Sequence, residues 1–287
     1  MDYILVFIST VLMALHFTVS KKYQTVEGAG MEAGLRFSAI RGLIKAGVFF
    51  VLSGFQLEFS LFSLVMALAF AFFCVSYTLL GFQIMKRENM AVYMLFLMSG
   101  GMLLPYIFGV VFLNESISVF RVLGLLLILG AIAVTNRAKS RSSMGVYLLC
   151  AAVFILNGCV SIVSKCHQID TAYTPVSSTA FVMYTGICEF LLCSLALLFC
   201  TKGRGMYSFS RKSVIWLMPL CAFINGVAYM LQLIGASTLP ATVLYPIITG
   251  GGIVFVALFG RLFFKEKLTK SQIISIILCF VGTLMFL

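Results

Sequence analysis

The chain has 287 residues, of which 62% are hydrophobic and only 10% are charged, whereas a soluble domain has roughly 45–50% apolar and 25% charged residues. So few charged residues could not cover a water-exposed surface, and the composition predicts an integral membrane protein. The net charge of +11 comes from short basic clusters between apolar runs rather than from one basic face, which is typical of nucleic-acid binders, so we expect no nucleic-acid partner.

Ten apolar runs follow one another along the chain, most of them close to the 20 residues that a helical membrane span needs. They lie near 3–20, 33–53, 60–81, 91–113, 120–135, 144–164, 177–200, 213–234, 241–260 and 271–287. No basic segment precedes the first run and no small-residue cleavage site ends it, so we expect a span rather than a signal peptide. The period-2 alternation of barrel strands is missing from the runs. The sequence therefore predicts an all-α membrane protein with ten transmembrane helices.

The distribution of Lys and Arg predicts the orientation of the chain. Most of them, including Lys21, Lys86 and Arg261, fall in the connections after spans 1, 3, 5, 7 and 9, while Arg121 and Lys165 lie on the opposite side. Basic connections stay in the cytoplasm. We therefore expect both termini outside the cytoplasm, in a multi-pass protein of the cell membrane, here the inner membrane of a bacterium.

The second half of the chain repeats features of the first. The matching positions are Ser20-Lys21 and Ser164-Lys165, Tyr93 and Tyr245, and Glu115 and Glu266, which are 144 to 152 residues apart. These matches divide the chain into one repeat over 1–140 and another over 144–287. Each repeat holds five spans, an odd number, so the second is expected to lie inverted relative to the first. Inverted repeats place a substrate near the midplane between the halves, and a monomer is sufficient because the halves are fused.

These features resemble the drug/metabolite transporter superfamily, and within it the EamA-like transporters with ten helices. The likeness rests on His16–Lys21, on Met90–Ala133 with its glycines, Pro105 and Glu115, and on Leu239–Leu287 with Pro246 and Glu266. The resemblance implies a 5+5 inverted repeat around a central cavity. It also implies secondary transport, often export, of small metabolites such as amino acids or amines.

Two features depart from the family pattern. Span 1 has no acid between Tyr3 and Ser20, whereas small four-helix relatives use a glutamate there for proton–drug exchange, so that mechanism is not transferred. Many ten-helix members keep both termini in the cytoplasm, and the basic residues of this chain predict the reverse.

Glycine and proline weaken spans 4 and 9 at nearly matching positions. The predicted substrate-cavity residues are Tyr93, Ser99, Gly100, Gly101, Asn157, Ser161, Tyr245, Thr249, Gly250 and Gly251. Matched helix interruptions indicate a transporter site, and the tyrosines offer hydroxyl groups and aromatic faces to a cationic or aromatic substrate. Three alternatives stay open: close helix packing by the glycines, an interfacial aromatic belt for the tyrosines, and interhelical hydrogen bonds for the polar residues of span 6.

Four ionisable residues inside the spans are candidates for coupling or gating: Lys45, Glu189, Arg41 and His16. Lys45 and Glu189 occupy equivalent positions of the repeats. Either they form a salt bridge that closes one state, or Glu189 is a site for a proton or a substrate amine; the alternative is that Lys45 extends to the cytoplasmic surface and Glu189 makes a local hydrogen bond. Arg41 lies one turn before Lys45 on the same helix face and suits a carboxylate. His16 is either a proton shuttle or a satisfied, neutral side chain.

Glu115 and Glu266 lie in connections, within Asn114-Glu115-Ser116 and Glu266-Lys267-Leu268-Thr269. We interpret both segments as turns that begin spans 5 and 10, and both glutamates as capping or ion-pair residues.

The favoured function is a secondary active transporter that exports small metabolites by alternating access. The alternative is a lipid or lipid-carrier flippase, or a membrane scaffold, of the same fold, which lateral access from the lipid would favour. An intramembrane enzyme is not supported, because the sequence holds neither a zinc-protease motif nor a pair of carboxylates in adjacent spans. No nucleotide-binding motif occurs either. Transport would then use protons or another coupling ion, or run downhill, without a cofactor or a metal.

Overall fold

The computed structural model describes residues 2–28, 30–85, 90–135, 144–201, 213–265 and 270–287. Within them the chain forms ten helices: α1 (Asp2–Glu27), α2 (Met31–Leu52), α3 (Leu61–Met85), α4 (Met90–Phe112), α5 (Val119–Thr135), α6 (Met144–Ile169), α7 (Ser178–Thr201), α8 (Ser213–Thr238), α9 (Ala241–Phe264) and α10 (Lys270–Leu284). Each helix coincides with one predicted span, and the all-helical prediction is confirmed for these residues. The largest extensions beyond the predicted spans are those of α1, which continues to Glu27, and of α6, which continues to Ile169; α3, α8 and α9 each run four residues further than predicted.

Six helices in the described part of the chain are long and apolar enough to cross a membrane: Asp2–Glu27, Leu61–Gly81, Met144–Ile169, Ser178–Thr201, Trp216–Thr238 and Ala241–Phe264. Three apolar segments are shorter, namely Phe96–Phe112, Val119–Val134 and Lys270–Leu284. Helix α2 differs from all of these because it carries Glu32, Arg36, Arg41 and Lys45. Charged side chains in a membrane face the interior of the bundle, so α2 needs polar partners on neighbouring helices.

The distribution of side chains is the reverse of that in a soluble protein. Large apolar side chains such as Phe72, Leu126 and Phe199 are exposed on the outer surface, whereas Lys45 and Glu189 are buried. Exposed apolar surface of this extent marks contact with lipid or with a partner. We therefore expect the polar side chains of the chain to pack between the helices.

The helices pack in a pattern that centres on α2 and α7. Helix α2 packs on α7, α1 packs on α8 and α9, α6 packs on α3 and α4, and α5 packs on α10. Half of the α7 span is buried, the largest fraction among the six apolar spans. The α2–α7 contact therefore brings the charged face of α2 against the helix that is best shielded from lipid.

Candidate functional site

A buried cluster of charged side chains lies where α1, α2 and α7 meet. Arg41 and Lys45 both reach the carboxylate of Glu189: Arg41 Nη2 donates to Oε1, and Lys45 Nζ donates to Oε2 at 3.0 Å. Arg41 and Glu189 lie near the middle of their helices. An unpaired charge at this depth would cost several kcal/mol. The structure therefore brings Lys45 and Glu189, matched in the sequence repeat, into one ion pair.

His16 of α1 extends the cluster to α8. Arg41 Nη1 lies 3.3 Å from His16 Nε2, and a guanidinium can only donate, so this ring nitrogen accepts the hydrogen bond and carries no proton. The proton of the imidazole is then on Nδ1, which lies 3.1 Å from the Sγ atom of Cys221. His16 is neutral in this arrangement, as expected of a satisfied histidine.

The predicted cavity residues of α4 and α6 lie at a tight interface between these two helices. Gly100 faces the backbone of Phe154 so closely that a Cβ atom has no room there. Asn157 Nδ2 donates to the Leu97 carbonyl at 2.7 Å, and Ser161 Oγ donates to the Gly101 carbonyl at 3.3 Å. The described side chains thus make interhelical hydrogen bonds in this conformation.

Pro105 explains why α4 needs a partner at Gly101. Proline has no N–H, so it cannot bond the carbonyl four residues earlier in a helix, and in α4 that carbonyl belongs to Gly101. A carbonyl group without a hydrogen-bond donor inside the bundle would destabilise the fold. Ser161 supplies the missing donor from α6.

The two predicted tyrosines are buried between helices. The ring of Tyr93 packs on Gly81 of α3, where a Cβ would lie 2.5 Å from Cε2, and on Cys150 and Val153 of α6. The hydroxyl of Tyr245 donates to the Ser161 carbonyl at 2.5 Å. Both rings therefore contribute to the packing around α6.

Three of the remaining predicted residues lie on α9, where the two glycines face different neighbours, and Ser99 lies on α4. A Cβ on Gly251 would lie 3.0 Å from Cγ2 of Thr10 on α1, whereas Gly250 faces Thr283 of α10 and Ile128 of α5. Ser99 and Thr249 are partly buried on α4 and α9. The structure thus places Gly251 at the α1 interface and Gly250 on the side of the α5–α10 pair.

Glu115 caps a helix other than the one that its position in the sequence suggested. Its carboxylate accepts hydrogen bonds from the Ala241 N–H at 2.7 Å and the Thr242 N–H at 2.8 Å, which belong to the first turn of α9. The interpretation of Glu115 as a capping residue holds, but the capped helix is α9 and not α5. Asn114, with φ of 52°, redirects the chain after α4. Glu266 lies outside the described residues.

Sequence reasoning assigned no role to Lys165, which caps the end of α8. Its Nζ donates to the carbonyls of Ala236 at 2.7 Å and Leu239 at 2.6 Å. These carbonyls are among those that a helix end leaves without intrahelical donors. Lys165 follows Ser164 at the end of a long apolar run, and this repeated Ser-Lys pair was the available signal.

Two clefts open at the periphery of the bundle. One, of about 440 Å³, lies between α1, α8 and α9 and is lined by residues that include Leu15, Lys22 and Phe264. The other, of about 210 Å³, lies between α3 and α7 and is largely apolar. The charged cluster lines neither of them. The side chains of the cluster bond to one another and do not form the walls of these two clefts.

One comparison with known proteins identifies the class of the chain, and another shows its fold. A model of the EamA-like transporter family matches residues 143–287, just over half of the chain. No curated protein matches. Among 28 matching solved chains, one described only as "Crystal structure of protein" aligns over 99% of this chain and 95% of its own, with 15% identity and a TM-score of 0.78. At that identity the likeness shows a shared fold alone.

Proposed function

The chain belongs to the EamA-like transporter family, within the drug/metabolite transporter superfamily, and from this premise we propose that it exports small metabolites by secondary active, alternating-access transport. The family match and the apolar helices make the chain a multi-pass membrane transporter. The observation that carries the finer proposal is the ionised cluster of Arg41, Lys45 and Glu189, held between two helices in the middle of the bundle. Intramembrane charges that face the bundle interior mark transport pathways.

The proposal includes an inverted 5+5 repeat with halves over 1–140 and 144–287. Helix pairing supports it: α1 packs on α8 and α9, and its counterpart α6 packs on α3 and α4, the counterparts of α8 and α9. The helix α2 packs on its own counterpart α7, and α5 packs on α10. Two related halves that face each other across a central axis would make these pairings.

Matched backbone features support the same repeat. Asn114 after α4 and Lys265 after α9 both have positive φ, 52° and 54°. Gly109 accepts a hydrogen bond from the N–H of Glu115, and Gly260 accepts one from the N–H of Lys265. Each helix is therefore followed by a left-handed residue, and a backbone N–H at each end closes on a glycine carbonyl. The two left-handed residues, like the two glycines, are 151 residues apart in the chain, although the donor after α4 is Glu115, the residue that follows Asn114.

In this proposal the Lys45–Glu189 pair holds the present state closed. The two residues lie on α2 and α7, one in each half, so rocking of one half against the other separates them. The opened space would be bordered by the α4–α6 and α1–α9 interfaces. It would be lined by the proposed cavity residues Tyr93, Ser99, Gly100, Gly101, Asn157, Ser161, Tyr245, Thr249, Gly250 and Gly251. A proton or another ion gradient would drive the cycle, and one copy of the chain in the bilayer would be sufficient.

Metabolite profiling tests this function. The wild type, Glu189→Gln and Glu32→Gln are produced in a bacterial host at matched membrane levels, and extracellular metabolites are compared with those of the host alone. Glu32 is an exposed acid near the start of α2, which makes its variant a matched control. We expect a small set of soluble metabolites to be enriched with the wild type and the control but not with Glu189→Gln. Identical profiles for all strains would contradict export.

One observation favours lipid transfer as a second candidate. The cleft between α1, α8 and α9 has mostly apolar walls and carries Lys22, a combination that could accept a lipid tail with an anionic headgroup nearby. Labelled phospholipids in vesicles that contain the purified protein distinguish the two functions. Lipid movement that Lys22→Gln abolishes and Glu189→Gln leaves intact would favour this candidate over metabolite export.

A further inference from the structure

We propose that the central site recognises the carboxylate of its substrate through Arg41, and that Glu189 is an internal carboxylate that occupies Arg41 while no substrate is bound. The inference rests on the proposed transport function and narrows its substrate class. Amino acids and organic acids fit the site, whereas amines that lack a carboxylate do not.

The cluster carries one unbalanced positive charge. Arg41 and Lys45 are cations, Glu189 is an anion, and His16 is neutral because Arg41 donates to its Nε2 atom. Glu189 is the one carboxylate within ion-pair distance of either cation among the residues that the structure describes. The other acids of those segments lie at helix ends or in connections: Asp2, Glu27, Glu32, Glu58, Glu115 and Asp170. A net positive charge at the middle of a bundle is stabilised by a further anion.

Arg41 has one unused hydrogen-bond donor and the most exposed side chain of the three charged residues. Its Nε atom is buried and makes no hydrogen bond to any described residue, although a guanidinium offers five N–H donors in a fork that matches a carboxylate. The side chain of Arg41 is 17% exposed, against 3% for Lys45 and 7% for Glu189. Arg41 is therefore the cation of the cluster that a ligand reaches first. The Phe37 ring, 5.7 Å from Cζ, supports the face of the guanidinium.

A substrate carboxylate can replace Glu189 on Arg41 because Arg41 and Lys45 bind different oxygen atoms of Glu189. Its Oε1 atom accepts from Arg41 and its Oε2 atom accepts from Lys45, so a substrate carboxylate can replace Oε1 on Arg41 while Lys45 keeps Glu189. Two cations then face two carboxylates. An organic acid makes the cluster neutral, and an amino acid, whose ammonium group balances its carboxylate, adds no net charge to it. An amine in the same place would raise the net charge to two positive charges, which the low dielectric of the site opposes. The cluster thus selects for carboxylates and against simple amines.

Binding to the purified, full-length protein in detergent tests the inference independently of transport. Melting temperatures are measured with three matched sets of ligands: an amino acid, its deaminated acid and its decarboxylated amine, for leucine, phenylalanine and tyrosine. We expect a rise of several degrees with carboxylate-bearing members of at least one set and no rise with the matched amine. Arg41→Gln should lose that rise, whereas Arg261→Gln, which removes an exposed cation from α9, should keep it.

Arg41→Lys covers the case in which Arg41→Gln does not fold. It keeps the charge but loses the fork, and we expect carboxylate affinity to fall at least about tenfold. The inference is wrong if the amines stabilise the protein as well as the acids do, if no member of any set stabilises it, or if the Arg41 variants bind like the wild type. Carboxylate binding without metabolite export would instead leave recognition standing and contradict the proposed function.

Discussion

Gly42 on α2 and Gly186 on α7 lie against each other's backbone where the two helices cross. A Cβ atom on Gly42 would lie 2.8 Å from the carbonyl oxygen of Gly186, and one on Gly186 would lie 2.7 Å from that of Gly42. The relation is reciprocal, because a Cβ atom on either glycine would also lie close to the amide nitrogen of the residue four positions beyond the opposite glycine, 3.0 Å from that of Phe190 or 2.9 Å from that of Ala46. This close approach sets the spacing at which Lys45 reaches Glu189.

The first prediction concerns that spacing. Gly42→Ala and Gly186→Ala should each lower the free energy of unfolding by about 1–3 kcal/mol, because a methyl group would push the two backbones apart. Gly47→Ala is the control on the same helix, since a Cβ there meets nothing within 4 Å and alanine favours the helix by up to about 1 kcal/mol. Thermal unfolding in detergent measures all three variants. Equal melting temperatures for Gly42→Ala and Gly47→Ala would show that the crossing is not tight.

The second prediction concerns the ion pair. Glu189→Gln leaves Arg41 and Lys45 without a counter-ion among the described residues, and we expect a loss of about 3–5 kcal/mol in the free energy of unfolding. Exchanging the charges, with Lys45→Glu and Glu189→Lys together, should restore part of that stability, because the two positions face each other at the same crossing, although Arg41 then faces a lysine at position 189. Each single substitution serves as the reference in a double-mutant cycle. A swapped protein no more stable than the worse single variant would contradict a direct pairing.

The pairing of Lys45 with Glu189 could be predicted from the sequence as one of the alternatives, because the two residues are 144 positions apart, as Ser20 and Ser164 are. Two helices that pack on their own counterparts bring equivalent positions together, so a shared offset along the chain becomes a contact in space. The same reasoning could not find the contact between Arg41, His16 and Cys221. That contact depends on the way α1 and α8 pack beside α2, and helical periodicity carries no information about such neighbours.

The capping of α9 by Glu115 shows a similar limit. The residue type and its place before an apolar run indicate a cap, but the capped N–H groups belong to Ala241 and Thr242, far along the chain. Likewise, Gly250 and Gly251 are indistinguishable in sequence, yet the 100° step of a helix turns them toward different partners. The ten helices could be predicted from the apolar runs of the sequence, whereas the hydrogen-bond partner of each polar group could be identified only from the packing of the helices.

The third prediction ranks the glycines of α4 and α9. Gly100 faces backbone atoms of Phe154, which cannot move without shifting α6, whereas Gly251 faces a side-chain methyl group of Thr10, and Gly252 has nothing within 4 Å. Alanine should therefore destabilise most at Gly100, by about 3 kcal/mol or more, less at Gly251 and least at Gly252. Leucine at Gly100 or Gly251 should abolish transport. The amount of folded protein in the membrane, measured beside transport, separates loss of folding from loss of function. A different order would contradict these contacts.

The last prediction tests the bond between Ser161 and the carbonyl that Pro105 leaves without an intrahelical donor. Ser161→Ala should lower the free energy of unfolding by about 1–3 kcal/mol, because the buried Gly101 carbonyl loses its hydrogen-bond donor. Pro105→Ala restores an N–H that bonds the Gly101 carbonyl within α4. In the Pro105→Ala protein, Ser161→Ala should therefore lower the free energy of unfolding much less than it does in the wild type. Ser237→Ala, which removes an exposed hydroxyl bonded within α8, is the control and should change stability by less than about 0.5 kcal/mol. Additive effects of Ser161→Ala and Pro105→Ala would mean that the two residues do not serve the same carbonyl.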